Sequence, residues 1–351
     1  MMRQSLQNRR VSSVLFPRGS GRSPGTDPSK TDALRGFMNR CLCCGKNTTM
    51  EEGSYHGRCL KALFHTGKAP IMDYSWQELD QMATQIIQQR ISVPGIQPKL
   101  SVHLEKDHKL RADRLTLVGL EGDYILKPPS TKYPFLPEAE HFCMTFARLV
   151  DIETEDFGLI SLKSGELSFI ARRMDRTKEG SLHMEDFCQL TNKLTEQKYR
   201  GSMEQVGKAL REFSSTPGLD AIRFFELALF CYLTGNSDMH LKNFSLLRQR
   251  DGGYQLAPAY DLVPAQIILP EDKEEFALTL SGRKAKIRRH DFEVFGQTIK
   301  LTDTQIRNAI KRIVSNGEKS LSEALVRSFL PVDKHKEISQ LFADRMKKLL
   351  S

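Results

Sequence analysis

Residues Leu219-Asp-Ala-Ile-Arg-Phe-Phe-Glu-Leu-Ala-Leu-Phe-Cys-Tyr-Leu-Thr234 are apolar around almost the whole helical circumference. A helix of that kind is buried on all sides, so the rest of the chain must fold around it. Gly235 ends the run, and the polar stretch Asn236-Ser-Asp-Met-His-Leu-Lys-Asn243 is presented at the end of a rigid element. Phe244–Arg248 and Tyr254–Tyr260 then read as two strands joined by the turn Asp251-Gly-Gly253, which would carry Asp261 back beside Asn243. The order of these residues suits phosphoryl transfer. Asp238 is the candidate to accept a hydroxyl proton, and Asn243 and Asp261 are the candidates to hold Mg²⁺, which takes one or two protein oxygens and fills its shell with phosphate and water. His240 and Lys242 are expected to face the developing negative charge. The plainer reading, a polar connection whose Asn and Asp cap turns, fits either aspartate alone. It does not explain the whole ordered set together with what precedes it.

Ile91-Ser-Val-Pro-Gly-Ile-Gln-Pro-Lys-Leu-Ser-Val-His-Leu104 runs from a turn into an alternating strand. Its loop residues Ser92, Val93, Pro94, Gly95, Gln97 and Lys99 are candidates to cradle phosphates, through backbone N–H groups above all. With one glycine it matches neither the P-loop nor the repeated-glycine kinase pattern, and by itself it reads equally as a plain turn. Asp123-Tyr-Ile-Leu-Lys-Pro-Pro129 is a short apolar strand ending in Lys127, whose ammonium could meet ATP phosphates; a strand-end lysine is also commonly just solvated. Leu136–Val150 has helical spacing, a proline start and early acids, of which Glu138 or Glu140 could hold Lys127 or simply favour the helix dipole. Leu167–Arg176 reads as a strand leaving the small lobe, and the backbone around Arg172–Met174 is where an adenine edge would bond. His183, Glu185, Asp186 and Gln189 read as one amphipathic helix opening the large lobe, with structural helices over 204–214, 303–314 and 336–350.

From about Cys41 onward the chain resembles the HipA family of bacterial toxin serine/threonine kinases, most closely its short HipT-like members. The resemblance is carried by Ser92-Val-Pro-Gly-Ile-Gln-Pro-Lys-Leu-Ser101, Ile125-Leu-Lys-Pro128, Met174-Asp-Arg176, His183-Met-Glu-Asp-Phe-Cys-Gln189, Gly235-Asn-Ser-Asp-Met-His-Leu-Lys-Asn-Phe-Ser-Leu-Leu247 and Pro258-Ala-Tyr-Asp-Leu-Val263. It implies an α+β, two-lobed, protein-kinase-like fold with a small, mainly β N-lobe and a mainly helical C-lobe, working with ATP and Mg²⁺. By motif, Asp238 matches the catalytic aspartate, Asn243 and Asp261 the metal ligands, Lys127 the phosphate-binding lysine, and Ser92 a loop serine that members autophosphorylate with loss of activity. The family's known targets, glutamyl- and tryptophanyl-tRNA synthetases, imply an aminoacyl-tRNA synthetase as substrate. A HipB-like DNA-binding antitoxin or a HipS-like small protein is the implied partner, with no direct nucleic-acid binding by the chain itself. Pro94, the lone Ser92 and Arg172 depart from the family pattern. The rival readings are a lipid or small-molecule kinase, since Asp-x-His-x-x-Asn followed by Tyr-Asp also resembles inositol-lipid kinases, and a nucleotide-binding regulator without turnover.

The expected organisation is a disordered basic leader over 1–37, a Cys/His-containing segment over 38–70, the N-lobe over 71–175 and the C-lobe over 176–351. Basicity belongs mainly to the leader: of the formal net charge of +9, residues 1–40 hold eight Lys/Arg against two Asp/Glu, giving +6 there and +3 on the remainder. Its composition marks disorder or, less well, a transit peptide. Met38 directly precedes the resembling region, and Leu15-Phe-Pro-Arg-Gly-Ser20 looks like linker, so an extraneous start is the expectation. No apolar run approaches a membrane span, and a cytoplasmic bacterial location is expected. The basic run Arg283–His290 reads as a solvated face or a contact for an acidic partner. Seven cysteines, an odd number, fit a reducing compartment. Cys41-x-x-Cys44 and His56-x-x-Cys59 could supply a closed Cys₃His set for structural Zn²⁺. Otherwise His56 and Cys59 belong to a helix over His56–Phe64, and the CxxC is an unbound knuckle.

Overall fold

Strand Tyr124–Lys127 is short because Pro128 and Pro129 follow it, and proline has no N–H to continue a ladder. It sits at the centre of a five-stranded antiparallel sheet in a computed structural model that describes residues 39–89, 98–107, 112–119 and 121–351. The elements of the first half are α1 (Gly57–Phe64), α2 (Trp76–Gln89), β1 (Leu100–Asp107), β2 (Ala112–Val118), β3 (Tyr124–Lys127), α3 (Leu136–Leu149), β4 (Phe157–Ser161) and β5 (Leu167–Arg172). The sheet order is β2-β1-β3-β5-β4. Register fixes the faces: Lys127 pairs with Phe169 and Leu126 with Ile170. Successive strand residues alternate sides, so Ile125 and Lys127 share the face covered by α3, while Tyr124 and Leu126 lie on the other, where Tyr124 meets Phe64 of α1. The leader and residues 91–97 lie outside the described residues. The unit Asn39–Ser351 is compact.

The second half holds β6 (Arg176–Thr177), β7 (Gly180–Ser181), β8 (Met184–Asp186), α4 (Phe187–Leu190), α5 (Met203–Phe213), α6 (Pro217–Thr234), β9 (Ser245–Arg248), β10 (Tyr254–Leu256), α7 (Ala265–Ile268), α8 (Arg289–Thr298), α9 (Asp303–Val326) and α10 (Val332–Leu350). Helix α6 is buried as its composition requires, packed by α5, α9 and α10, with Phe224, Phe225 and Tyr232 in a cluster of rings with Phe292 and Phe295. Each such ring removes roughly 150–250 Å² from water. No described helix is long and apolar enough to cross a membrane.

Five local expectations change. His183, Glu185, Asp186 and Gln189 are not on one helix, because Asp186 is extended (φ −77°, ψ 159°) and caps α4 by accepting the Gln189 N–H. Residues 184–186 instead form β8 against β9. The strand expected over 254–260 stops at Leu256, two residues before Pro258, and that over 167–176 stops at Arg172. The helices expected over 303–314 and 336–350 run over Asp303–Val326 and Val332–Leu350.

Candidate active site

Gly235 lets the chain leave α6. Its φ of +74° is left-handed, and a side chain there would meet Leu341 at 2.5 Å. The loop then folds on itself: Asn236 N–H donates to Cys231 O at 2.9 Å, Asn243 N–H to His240 O at 2.9 Å, and Asn243 Nδ2 to Asp238 O at 3.2 Å. Strands β9 and β10 return the chain, and Tyr260 pins it there, its hydroxyl donating to Lys242 O at 2.9 Å and sharing a 2.6 Å bond with Ser245 Oγ. Asp261 follows with φ +60°, a conformation Asp and Asn tolerate better than most side chains. Asp238, Asn243 and Asp261 thereby line one cavity, together with Lys99, Lys198, His240, Leu136 and Val263.

Lys127 reaches Asp261, which lines this cavity, from the sheet. Its ammonium bonds Glu140 of α3 and Asp261, and Lys99 bonds the other Asp261 oxygen. Of the two acids offered by the sequence, Glu140 is therefore the partner of Lys127. Lys127 is 4% and Glu140 0% exposed. Burial would lower the Lys127 pKa, but Asp261 and Glu140 outweigh it and keep the ammonium charged. Burial would likewise raise Asp261, and Lys127 and Lys99 pull it well below the carboxylate range instead. Burial pushes the Glu140 carboxyl up to about 7 against the pull of Lys127, and its Oε2 has no hydrogen-bond partner among the described residues. Burial also raises Asp238, opposed by Tyr199, whose hydroxyl donates to Asp238 Oδ1 at 2.8 Å.

The donor set fits a hard divalent cation. Asp261 is ionised, and Asn243 spends its amide N–H on Asp238 O, which leaves its carbonyl oxygen as the free coordinating atom.

Of the two side chains expected to face the developing charge, His240 lines the cavity and Lys242 does not. His240 is buried and held neutral, its pKa down to about 3 through burial and then Lys198, with the Tyr199 ring edge-on at 5.1 Å. Lys242 turns away to Asp186 at 2.7 Å and does not line the cavity. Arg172 and Met174 line a second cavity with Phe64, Tyr124 and Arg176. The Arg172 and Arg173 amides already donate to Asp156 O and Asp123 O, each at 2.8 Å, because the sheet edge and the approach to β3 claim them. Ser92, Val93, Pro94, Gly95 and Gln97 lie outside the described residues; Lys99 is at the cavity. Sequence reasoning missed Lys198 and Tyr199. They follow a short 3₁₀ turn at Thr195–Gln197 and hang over the catalytic loop through Leu241 N–H donating to Lys198 O at 3.1 Å. A contact between segments some forty residues apart leaves no periodicity to read.

The chain is similar to known proteins. Residues 91–321 match the family model of the HipA-like C-terminal domain. A Sinorhizobium fredii protein named "Putative kinase Y4dM" is 34% identical over 207 residues, 56% of this chain and 50% of that protein, so the chain spans half of that relative's length. A Haemophilus influenzae protein named "Putative kinase" is 28% identical over 292 residues, 75% of this chain and 82% of its own length. Among solved structures, the Shewanella oneidensis MR-1 toxin-antitoxin system of HipA, HipB and operator DNA contains a chain that superposes with a TM-score of 0.61 at 18% identity, over 80% of this chain and 72% of that one.

Proposed function

The chain belongs to the family of the HipA-like C-terminal domain and has its protein-kinase-like fold, and from that premise we propose that it is an ATP-dependent serine/threonine protein kinase acting at the cavity of Asp238, Asn243 and Asp261. The observation that supports this is the meeting of two loops, a strand and a helix at one point: the side chains of Asp238, Asn243 and Asp261, and buried Lys127 held by Glu140 of α3. Lys127, kept charged by Asp261 and Glu140, binds the phosphates of ATP. Lys99 and Lys198 add positive charge at the mouth of the same cavity. Mg²⁺ held by Asn243 and Asp261 would neutralise charge on the phosphate oxygens as transfer proceeds. Asp238 orients the target hydroxyl and accepts its proton as the oxygen takes the phosphoryl group and ADP departs. Tyr199 holds the Asp238 carboxylate, and the His240 ring packs edge-on against Tyr199, so positioning contributes most of the rate.

A hydroxyl of an aminoacyl-tRNA synthetase is the proposed target, and Ser92 the proposed site of self-phosphorylation. An antitoxin partner is proposed on the support of the Shewanella complex, in which HipA is found with HipB. The test is intact-mass spectrometry after incubation with Mg²⁺-ATP, for wild type and Asp238→Asn, alone and with each synthetase of the host. One added phosphate on protein in the wild type only is expected. Phosphate appearing solely on lipid or small-molecule acceptors would overturn the protein-kinase assignment.

A further inference from the structure

Four side chains converge in the first described segment, apart from the proposed catalytic site. One ligand atom from each of Cys41, Cys44, His56 and Cys59 lies within 4.8 Å of every other. A tetrahedral zinc with thiolates at about 2.3 Å has ligand atoms roughly 3.8 Å apart, so small side-chain rotations close the set.

Three details of the backbone and second contacts point to a metal rather than to clustered thiols. The knuckle is closed by Cys41 N–H donating to Lys46 O and Gly45 N–H to Cys41 O, both at 2.8 Å. Gly45 has φ +68°, and a side chain there would strike Arg327 O at 2.1 Å. The His56 amide donates to Cys41 Sγ at 3.4 Å, as amides do to a ligating sulfur that carries negative charge. The His56 ring is oriented for ligation. Its Nε2 lies 3.0 Å from Asn47 O and so carries the proton, which leaves the Nδ1 lone pair facing Cys44 Sγ at 3.3 Å and Cys59 Sγ at 4.0 Å. A ligating histidine characteristically donates its other ring nitrogen to a carbonyl in this way. We propose that Cys41, Cys44, His56 and Cys59 hold one structural zinc ion that fixes the amino-terminal segment against the sheet and against α3.

The reach of such a clamp is visible in the neighbours. Leu42 O accepts Leu159 N–H at 2.7 Å, and the Tyr55 hydroxyl donates to Leu159 O at 2.7 Å, so the segment covers the edge strand β4. Cys43, between two ligands, accepts His141 Nε2–H on its carbonyl at 2.8 Å. His141 adjoins Glu140, the residue that holds Lys127. Arg40 ties the same knuckle to Val326 O at 2.7 Å and Ser328 O at 2.9 Å in the helical lobe. The zinc would thus steady α3 at the residue next to the one that meets Lys127.

The experiment is elemental analysis of the full chain purified without added metal, followed by removal of metal and titration with Co²⁺. About one zinc per chain is expected, with visible bands of tetrahedral thiolate coordination on cobalt loading. Cys44→Ala and Cys59→Ala should each lose most of the zinc, and Cys43→Ala should keep it. Wild-type protein with less than about a tenth of a zinc per chain and no thiolate–cobalt bands would overturn the proposal. So would iron in place of zinc, or loss of metal in Cys43→Ala with retention in Cys44→Ala. Wild-type stoichiometry and the cobalt spectrum decide the matter even if the cysteine variants fail to fold.

Discussion

Tyr199→Phe removes one oxygen and isolates its bond to Asp238. Burial raises the Asp238 pKa, and the 2.8 Å hydrogen bond from Tyr199 opposes that rise by stabilising the carboxylate. A hydrogen bond to a charged group is worth about 1.5–3 kcal/mol. Tyr199 is 40% exposed, so solvent screening holds the value near or below the lower end, about 1.4 kcal/mol. That is roughly a tenfold gain in the proton affinity of Asp238 when the hydroxyl is lost. A general base must be deprotonated to work, so the acid limb of the pH–rate profile should move to higher pH. Activity falls about tenfold below the limb and is unchanged well above it. The assay is ATP-dependent phosphate incorporation across pH 5–9, with nucleotide affinity measured in parallel to separate binding from chemistry. An unmoved limb, a shift to lower pH, or an equal loss at every pH would refute the assignment of Asp238 as base and Tyr199 as its positioning residue.

The lysines should separate cleanly: Lys127→Met should abolish phosphate transfer, whereas Lys242→Met, which loses only its bond to Asp186, should keep kcat within about threefold, and the reverse result would restore Lys242 to the site. Glu140, raised to about 7 from an ordinary 4.5, contributes stability that is fully present below about pH 4.5 and lost as pH rises through 7. Glu140→Gln does not titrate, so relative to wild type it should gain on the order of 1 kcal/mol between pH 6 and 8, read as a rise of roughly 2 °C in the Tm difference; a flat difference would show Glu140 ionised throughout. Gly235→Ala forces a side chain into left-handed backbone and against Leu341, and should cost about 1–3 kcal/mol in thermal melts while displacing the catalytic loop and lowering kcat; an unaltered Tm would refute the strain.

Local chemistry was legible wherever the chain wrote it in consecutive residues. The apolar run ending in Gly235 specified a buried helix and its stop, the prolines after Lys127 specified where β3 ends, and Asp-x-x-x-x-Asn with a returning Tyr-Asp specified which oxygens would meet. The mistakes were local conflicts settled by capping and pairing. Asp186 offers its carboxylate to the Gln189 amide, so its own backbone stays extended and pairs with β9, although the surrounding pattern is helical.

What the sequence determined by itself is therefore the family, the order of the candidate catalytic residues and the candidate metal ligands, since each depends on residue type and short spacing. What only the tertiary structure decided is which charges face which. Glu140 rather than Glu138 takes Lys127, Lys242 leaves the cavity for Asp186, burial strips His240 of its proton, and Tyr199 arrives from a segment 39 residues before Asp238. Those outcomes rest on desolvation and on contacts between distant segments, and neither quantity exists until the chain has closed around α6.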